Sequence, residues 1–468
     1  MITWQDFEKK PDKAAAVKQV IDEWVAGEMY RTAQVADLYN KQKNKTICEY
    51  MRIMYTLLGD PVEDFIAANN KICSNFFHRL NIQRNTYSLG NGVSFAADQG
   101  EDGKSTNKIK NMFGPRFDTT LQEAGFKALI HGLSFLYLGD KVYCFPVTEF
   151  APLWDERTQK LMGGVRFWRI DEDKPLTAIL FTKENKIRYR SEGADGELKQ
   201  VAEEAYIYDT ETSEAFGEEI VGESHYPDIP IVPLWGSNLH QSTLVGMQTK
   251  IDAFDLVRSG FANDLQDCAQ IYWLIENYGG MDPEALQRFR NRLKLHHIVE
   301  TDTSQGGKVT PFTQDVPYAA RKTFLDDMRA GIYEDFGALD VHTVAAGATN
   351  DHIDAAYQPM DEEADDFEKQ IIECVQSLGV LLGIDEEDAI PIFKRNRLSN
   401  QSEQVQMIAT EAQWLDHETI LRKLPNITVD EVQGILQRAQ KEEADKMLAD
   451  LTMANGTAPT EMIEVEEE

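Results

Sequence analysis

The sequence has few cysteines, no long apolar run and little positive charge. Its five cysteines lie far apart and form no CxxC pair, which argues against a disulfide framework and a zinc site and predicts reduced thiols in the core. No stretch of about eighteen apolar residues is present, and the N-terminal MITWQDFEKKPDK lacks the apolar region of a secretory leader. These absences predict a soluble cytosolic protein.

The charge balance is strongly acidic, with 79 Asp and Glu against 47 Lys and Arg and a formal charge of −32. This charge argues against a chain that wraps nucleic acid or lies on an anionic membrane. It does not exclude a protein through which nucleic acid passes. The 468 residues are enough for a sizeable core and for roughly two to four domains.

Hydrophobic periodicity predicts a mainly helical α+β protein. The N-terminal zone has the helical period near residues 12–26, 45–58, 61–82 and 117–131. From Ser134 to Tyr208 the period becomes that of strands, in SFLYLG, KVYCFPV, GGVRFWRI, TAILFT and KIRYRS. Prolines at 227, 230 and 233 then rule out a regular helix and predict an extended crossing segment.

Two long column-like helices follow, of roughly 40 and 33 Å at ~1.5 Å per residue. The first carries an apolar stripe at Leu244, Met247, Ile251, Phe254, Phe261 and Leu265. The second, about Tyr318 to Leu339, carries Phe324, Met328, Ile332 and Phe336. The insert between them, 270–316, predicts a strand in QIYWLIEN, a helix opened by Asp282 and Pro283, and a strand in HHIVET.

A third long helix begins near Asn350 and has a heptad stripe, the pattern of helices packed lengthwise. Its apolar residues are Ile353, Tyr357, Met360, Ala364, Phe367, Ile371, Cys374, Leu378 and Leu381. Pro359 lies inside this helix and predicts a kink there. A short strand, AIPIFKRN, and further helices follow, with Asp416 as a cap and Thr428 and Glu431 as a capping box. The acidic tail NGTAPTEMIEVEEE is predicted to be disordered.

Two motifs suggest chemistry. GKST at 103–106 is typical of a phosphate-binding loop, but position 98 is Asp where that motif needs Gly, so a surface loop is the better interpretation. In DVHTVAAGATNDHID, metal ligands could come from Asp340, His342, Asp351, His352 and Asp354. No spacing places two of them on one helix face, and Asp is common at helix ends, so capping is favoured. Two functions stay open as alternatives to the one named below: a metal-dependent nuclease that uses these Asp and His residues, and a helical scaffold without a channel.

The most basic stretch is EALQRFRNRLKLHH, with Arg288, Arg290, Arg292 and Lys294. It predicts either a solvated helix face with intersubunit ion pairs or a docking surface for an acidic partner or a phosphate. The sequence does not decide between them.

The order of several segments resembles the portal, or head-to-tail connector, proteins of tailed double-stranded-DNA bacteriophages. The resemblance covers about residues 30–445. It rests on AANNKICSNFFHRLNIQRNTYSLGNGVSF, FKALIHGLSFLYLGDKVYCFPVTEFAPLWD, IPIVPLWGSNLHQSTLVGMQTKIDAFDLVRSGFANDLQD, TNDHIDAAYQPMDEEADDFEKQI, AIPIFKRNRLSNQSEQVQMI and LDHETILRKLPNITVDEVQGI.

The resemblance implies a portal fold assembled as a ring, typically of twelve subunits, with wing, stem, clip and crown regions. The regions implied are the wing at 1–240, stem helix 1 at 241–269, the clip at 270–316, stem helix 2 at 317–339, the tunnel loop at 340–350, the kinked tunnel helix with a return strand to the wing at 351–395, the crown at 396–450 and the acidic tail at 451–468.

The resemblance also implies a structural protein of the virion, assembled in the host cytoplasm, without enzymatic activity or a cofactor. Its implied partners are double-stranded DNA without sequence preference, terminase, a head-completion adaptor, and the capsid and scaffolding proteins. Because 341–349 contains no Lys, Arg, Asp or Glu, the loop is expected to be a low-friction collar. The residues expected to contact DNA are His342, Thr343, Val344, Ala345, Ala346, Gly347, Ala348, Thr349 and Asn350.

Overall fold

The computed structural model divides the chain into two compact units. The first contains Met1–Leu339 and Pro359–Asn396, and the second contains Asp340–Gln358 and Arg397–Glu468. The residues that the structure describes are 2–55, 58–65, 67–98, 107–194, 196–212, 219–224, 226–267, 272–276, 284–285, 287–288, 308–312, 317–341, 349–397, 406–410, 412, 419–420, 435–436, 438 and 441. Within them, no helix is long and apolar enough to cross a membrane.

Ten helices can be assigned bounds among these residues. They are α1 Trp4–Glu8, α2 Lys13–Val25, α3 Glu28–Asn40, α4 Lys45–Glu49, α5 Phe76–Leu89, α6 Lys108–Met112, α7 Phe117–His131, α8 Leu244–Asp267, α9 Tyr318–Phe336 and α10 Asn350–Leu381. The predictions near 12–26 and 117–131, and those of the three long helices, are therefore confirmed. The cap of α2 is Asp12, whose carboxylate accepts a hydrogen bond from the N–H of Ala15 at 3.1 Å.

The strands form small antiparallel sheets. They are β1 Ile53–Tyr55, β2 Pro61–Glu63, β3 Val93–Phe95, β4 Leu133–Leu138, β5 Val142–Pro146, β6 Phe150–Trp154, β7 Leu161–Trp168, β8 Thr177–Phe181, β9 Asn185–Ser191, β10 Leu198–Ala205, β11 Ile207–Thr212, β12 Glu219–Ser224, β13 Ile231–Trp235, β14 Tyr272–Glu276, β15 Lys308–Phe312 and β16 Pro391–Phe393. The largest sheet has the order β10-β9-β8-β7-β6, and a second has the order β13-β4-β5. The proline-rich crossing segment is extended, as predicted, and pairs with β4 as β13.

One core lies between these sheets and α2. Phe135 on β4 faces Phe145 on β5 in the register, and the Phe135 ring lies 4.4 Å from that of Phe150 on β6. Trp24 of α2 is buried and donates its indole N–H to the carbonyl of Val147 at 2.9 Å. A large aromatic side chain is thereby buried with its polar group satisfied.

A second core joins α7 to the C-terminal part of α10. Leu121, Leu129, Phe367 and Ile371 are buried there. All nine residues of the predicted heptad stripe are at most 8% exposed, which confirms the prediction that this face is packed. At Gly125 of α7, an added Cβ would lie 3.0 Å from the Phe367 ring, so the two helices approach closely.

The helices predicted at 45–58 and 61–82 are wrong over most of their length. Helix α4 ends at Glu49, strands β1 and β2 pair as an antiparallel hairpin, and α5 begins only at Phe76. Residues 67–75, here called the strap, form neither helix nor strand. Their backbone N–H groups bond to side chains of α8 instead of to their own helix, so distant contacts override the local period.

Other local predictions missed details. Strand β6 was not predicted, because Pro152 interrupts the alternation of FAPLW. The predicted strand HHIVET at 296–301, the caps at 416, 428 and 431 and the tail lie outside the described residues. Cys374 is buried, as predicted, but Cys48 is exposed and Cys73 and Cys144 are only partly buried.

Candidate functional site: the anchors of the predicted channel loop

Most of the predicted site residues lie outside the part of the chain that the structure describes. These are residues 342–348 of the loop and the basic residues Arg290, Arg292 and Lys294. Arg288 is described, and its Nε donates to the Glu284 carbonyl one helical turn back at 3.4 Å. The structure therefore characterises the segments that hold the ends of the loop.

The N-terminal anchor is the end of α9. Gly337 has a φ of +65°, a conformation that costs a residue with a side chain about 1–2 kcal/mol. Its N–H donates to the Glu334 carbonyl at 3.0 Å, and the N–H of Ala338 donates to the Tyr333 carbonyl at 2.9 Å. This double hydrogen bond is the Schellman motif, which ends the helix at a fixed residue.

Gly337 also lies against α10, near Pro359, where that helix belongs to the first unit. An added Cβ would be 2.8 Å from Cγ of Glu363 and 3.2 Å from the carbonyl oxygen of Pro359. We therefore expect Gly337→Ala to lower the free energy of unfolding by about 1–3 kcal/mol, from backbone strain and crowding together. Urea denaturation followed by tryptophan fluorescence measures this change.

Gly331 is the matched control for this variant, because it lies in the same helix with nothing within 4 Å of an added Cβ. Gly331→Ala should be neutral or stabilising, since Ala is favoured over Gly in a helix by about 1 kcal/mol. Equal destabilisation by the two variants would contradict the anchor described for Gly337.

Arg84 of α5 holds the same helix end from the side. It is buried, its guanidinium donates to the carbonyl of Phe336 and lies 4.2 Å from the centre of that ring, and its Nη1 is 3.0 Å from Oε2 of Glu363. Burial lowers the pKa of the Arg84 guanidinium, while the carboxylates of Glu363 and Asp366 act in the opposite direction. A cation at the C-terminus of α9 is also favoured by the helix dipole.

Gln83, next to Arg84 on α5, also bonds to the backbone after α9. The side-chain amide of Gln83 donates to the carbonyl of Leu339 at 3.0 Å. Leu339 is the last residue of the first unit before the chain enters the loop. Helix α5 thus bonds to the backbone on both sides of Gly337.

A second cationic residue, Arg395, fixes the part of α10 that follows Pro359. Its Nε and Nη2 bond to the two carboxylate oxygens of Glu368 at 3.0 and 2.8 Å. Its Nη1 donates to Oδ1 of Asp361 at 3.0 Å, and Nη2 also bonds to Asp365. Hydrogen bonding to Glu368 raises the pKa of Arg395, so this guanidinium stays charged and links three carboxylates on one helix face.

In the second unit, the described residues around the loop form a helix start. The N–H of Ile353 donates to the carbonyl of Thr349 at 3.0 Å, and Nδ1 of His352 lies 3.2 Å from the Thr349 hydroxyl. Nη1 of Arg397 bonds to Asp354 at 3.3 Å. Each of these polar groups therefore has a structural role at the beginning of α10.

Pro359 lies inside α10, and the boundary between the two units falls directly before it. Because proline has no N–H, the hydrogen bond that the Ala355 carbonyl would accept in a regular helix is missing. The kink at Pro359 stays a prediction.

The alternative metal site finds no support in the described residues. Among them, no group of three or more His, Cys, Asp or Glu side chains could hold a metal ion, while His342 lies outside them. Asp98, the residue that breaks the phosphate-loop motif, is buried and accepts hydrogen bonds from the N–H groups of Ile109 and Lys110 at 2.9 and 3.3 Å. It caps α6, while residues 103–106 lie outside the described part.

Helices α8 and α9 form an antiparallel pair next to these anchors. Ion pairs join Lys250 to Asp335 at one end and Asp264 to Arg321 at the other. The apolar stripe between them is buried at Ile251 and Ile332. It becomes exposed towards the other end of the pair, where the exposed fractions are 54% at Leu265, 44% at Phe324 and 58% at Tyr318.

A row of polar residues on α8 binds the strap. Asp255 is buried and accepts the N–H of Ser74 at 2.9 Å, Ser259 accepts the N–H of Ile72 at 3.0 Å, and Asn263 accepts the N–H of Asn70. We call these three α8 residues the polar ladder. Burial raises the pKa of the Asp255 carboxyl, and the hydrogen bonds of Asn44 and Ser74 oppose that shift.

The described part of the chain also contains a cavity of about 880 Å³ beside β13 and the C-terminal half of α10. The Trp235 ring on its wall stacks on His240 at 4.0 Å and on Trp154 at 6.2 Å. This wall is aromatic.

Sequence reasoning missed both arginine anchors, Arg84 and Arg395. Their partners are far away along the chain, and Phe336 follows Arg84 by 252 positions. No local motif marks them.

The chain is similar in sequence to known proteins. The family "Phage portal protein, SPP1 Gp6-like" matches residues 28–457. The portal protein of Clostridium phage phiCD119 is 24% identical over 415 residues, which cover 82% of this chain and 88% of that protein. The portal protein of Bacillus phage SPP1 is 23% identical over 384 residues, which cover 76% of this chain and 73% of that protein. The match of the family over most of the chain confirms the resemblance seen in the sequence, and the chain belongs to the SPP1 Gp6-like family of phage portal proteins.

Proposed function

We propose that this portal protein assembles into a ring whose axial channel passes double-stranded DNA during packaging and ejection. The observation that carries the proposal is the family match over residues 28–457, which spans both compact units. The ring is expected to have twelve subunits, as is typical of the family that the sequence resembles.

The exposed end of the α8–α9 stripe supports assembly of several copies. Leu265, Phe324 and Tyr318 are more exposed than apolar residues of a packed helix pair need to be. A group of exposed apolar side chains is typical of an interaction surface. Neighbouring subunits in a ring would cover it, and a rotation that closes produces a ring from one repeated contact.

The loop between α9 and α10 supports the channel. It has no charged residue from 341 to 349, and its ends are fixed by Gly337 and Arg84 on one side. A small, neutral loop on rigid anchors allows steric contact with DNA without strong attraction to phosphates. This interpretation keeps His342 to Asn350 as the residues proposed to contact DNA.

The remaining regions are assigned by the family resemblance. We propose the wing at 1–240, the stem helices at 241–269 and 317–339, the clip at 270–316, the kinked helix with its return strand at 351–395 and the crown at 396–450. The clip, with Arg288, Arg290, Arg292 and Lys294, is proposed to dock terminase and later the head-completion adaptor. Capsid and scaffolding proteins are the proposed partners of the ring at the capsid vertex, after assembly in the host cytoplasm.

Negative-stain electron microscopy of the purified protein tests the proposal. We expect rings with an axial hole wide enough for double-stranded DNA. Rods, or particles without a hole, would support a helical scaffold instead. Stoichiometric metal that is lost in a His342→Ala and His352→Ala double variant would support the metal-dependent nuclease.

A further inference from the structure

Two cysteines that are distant in the sequence lie next to each other in the first unit. Sγ of Cys48 and Sγ of Cys73 are 3.5 Å apart, 25 residues separate them along the chain, and both thiols are free. A disulfide needs about 2.05 Å between the sulfurs, so the two sulfurs lie only about 1.5 Å further apart than in the bonded state.

The segment that carries Cys48 is fixed to α8. Cys48 lies in α4, where the Thr46 hydroxyl donates to Asp252 at 2.7 Å. Ile47 of the same helix is buried. The side-chain amide of Asn44, before the helix, donates to Asp255 and, at 3.2 Å, to the Ser74 carbonyl.

The segment that carries Cys73 is fixed to the same helix. The N–H groups on both sides of it, those of Ile72 and Ser74, bond to Ser259 and Asp255 of the polar ladder. The Cys73 carbonyl accepts a hydrogen bond from Gln42 at 3.0 Å. Hydrogen bonds to α8 therefore hold both segments in place, and the two thiols lie next to each other in the folded protein.

The two thiols differ in their access to solvent. Cys48 is exposed, whereas Cys73 is partly buried. Burial and the neighbouring Cys48 raise the pKa of the Cys73 thiol to about 11, so Cys73 is a thiol and not a thiolate at neutral pH. An oxidant in solution meets Cys48 first.

We propose that Cys48 and Cys73 are an oxidative modification site that forms a reversible intramolecular disulfide with a small-molecule disulfide as oxidant. The Cys48 thiolate attacks one sulfur of the oxidant, forms a mixed disulfide and releases one thiolate. The Cys73 thiol then loses its proton, attacks the Cys48 sulfur and releases the second thiolate. Two protein thiols are oxidised and one external disulfide is reduced to two thiols.

The bond would close a loop around the hairpin β1–β2. This loop holds several exposed apolar side chains, namely Tyr50, Met51, Ile53, Met54, Tyr55, Leu58 and Phe65. Closing it joins the two ends of this segment and restricts the unfolded chain. Because the cytosol keeps thiols reduced and the extracellular medium does not, the bond would form after release of the virion. That timing rests on the proposed function, whereas the site itself does not.

Equilibration of the full chain in buffers of reduced and oxidised glutathione tests the proposal. Acid quenching, alkylation and mass spectrometry of the peptide joining Cys48 to Cys73 give the equilibrium constant in native buffer and in concentrated urea. We expect the native constant to be about a hundredfold larger, the size of effect that a stabilising disulfide has on folding. The buried Cys374 should stay reduced in native buffer.

Cysteine variants are the controls. Cys48→Ser and Cys73→Ser should each abolish the linked peptide, while Cys144→Ser should leave it unchanged. Equal constants in native buffer and urea, or glutathione that stays on Cys48 without displacement, would overturn the proposal. Neither result tests ring formation. If the disulfide forms as expected but the protein does not form rings, only the proposed function is contradicted.

Discussion

Lysines introduced at positions 345 and 346 should slow DNA packaging about tenfold or more while rings still assemble. The parent segment from 341 to 349 carries no charge. DNA presents one negative charge per ~1.7 Å of its axis, and a close ion pair contributes about 1 kcal/mol in water and about 4 kcal/mol at an effective dielectric of 20. About 1.4 kcal/mol added to each translocation barrier slows a step tenfold, so one or two ion pairs are enough.

The matched control replaces the same two alanines by glutamine, which adds bulk without charge. The DNA packaged per minute in a reconstituted reaction, measured at low and high salt, separates the two effects. High salt should relieve the lysine variant, because exposed ion pairs are screened over about 10 Å at 0.1 M. Two results would contradict this explanation: a ring of the lysine variant that packages DNA as fast as the parent, or a glutamine variant that slows packaging equally. Either would mean that the loop is not neutral in order to avoid attraction to the DNA phosphates.

Replacement of Arg84 by methionine should cost about 2–4 kcal/mol of the free energy of unfolding. Methionine keeps much of the buried volume but removes the ion pair with Glu363 and the hydrogen bond to the Phe336 carbonyl. Losing one partner of a buried ion pair costs about 3–5 kcal/mol, and we expect a smaller value because the Glu363 side chain is 43% exposed. Urea denaturation at neutral pH measures the loss.

The control is Arg79→Met, an exposed residue on the same helix, which should change stability by about 0.5 kcal/mol or less. A double-mutant cycle with Glu363→Gln isolates the coupling between the two side chains. Should Arg84→Met prove as mild as Arg79→Met, α5 does not hold the loop in the way that the geometry indicates.

Local periodicity was most successful for α10. Its heptad stripe predicted the buried face at every one of the nine positions, because a long helix with one regular apolar face has few other ways to be packed. Apart from β6, the strands from Leu133 to Ser191 were predictable for a similar reason, since alternating apolar residues and the turns between them mark each strand.

The prediction failed where distant side chains replace local hydrogen bonds. The strap lies inside a segment whose apolar period predicted a helix, yet it is not helical, because the ladder on α8 offers its N–H groups other partners. The hairpin before it has Pro61 at the start of β2, and proline is disfavoured inside a helix. A single sequence does not show that the polar ladder of α8 and the strap lie next to each other.

The candidate site was predictable only in outline. The uncharged run and its flanking helices are visible in the sequence, and so is the unusual Pro359. The arginines that fix the loop ends are not, because nothing in the residues around Arg84 or Arg395 distinguishes a buried, paired guanidinium from a solvated one. Such pairs depend on which elements the fold brings together.

The polar ladder has a consequence for how the chain matures during synthesis. Asn70 in the strap bonds to Asn263, which follows it by 193 residues. At a synthesis rate of about 5–20 residues per second, the strap waits about 10–40 s on the ribosome before its partner helix is made. During that interval the N–H groups of Asn70, Ile72 and Ser74 have no native acceptors, so a chaperone that binds the nascent chain would have most to protect at this early segment.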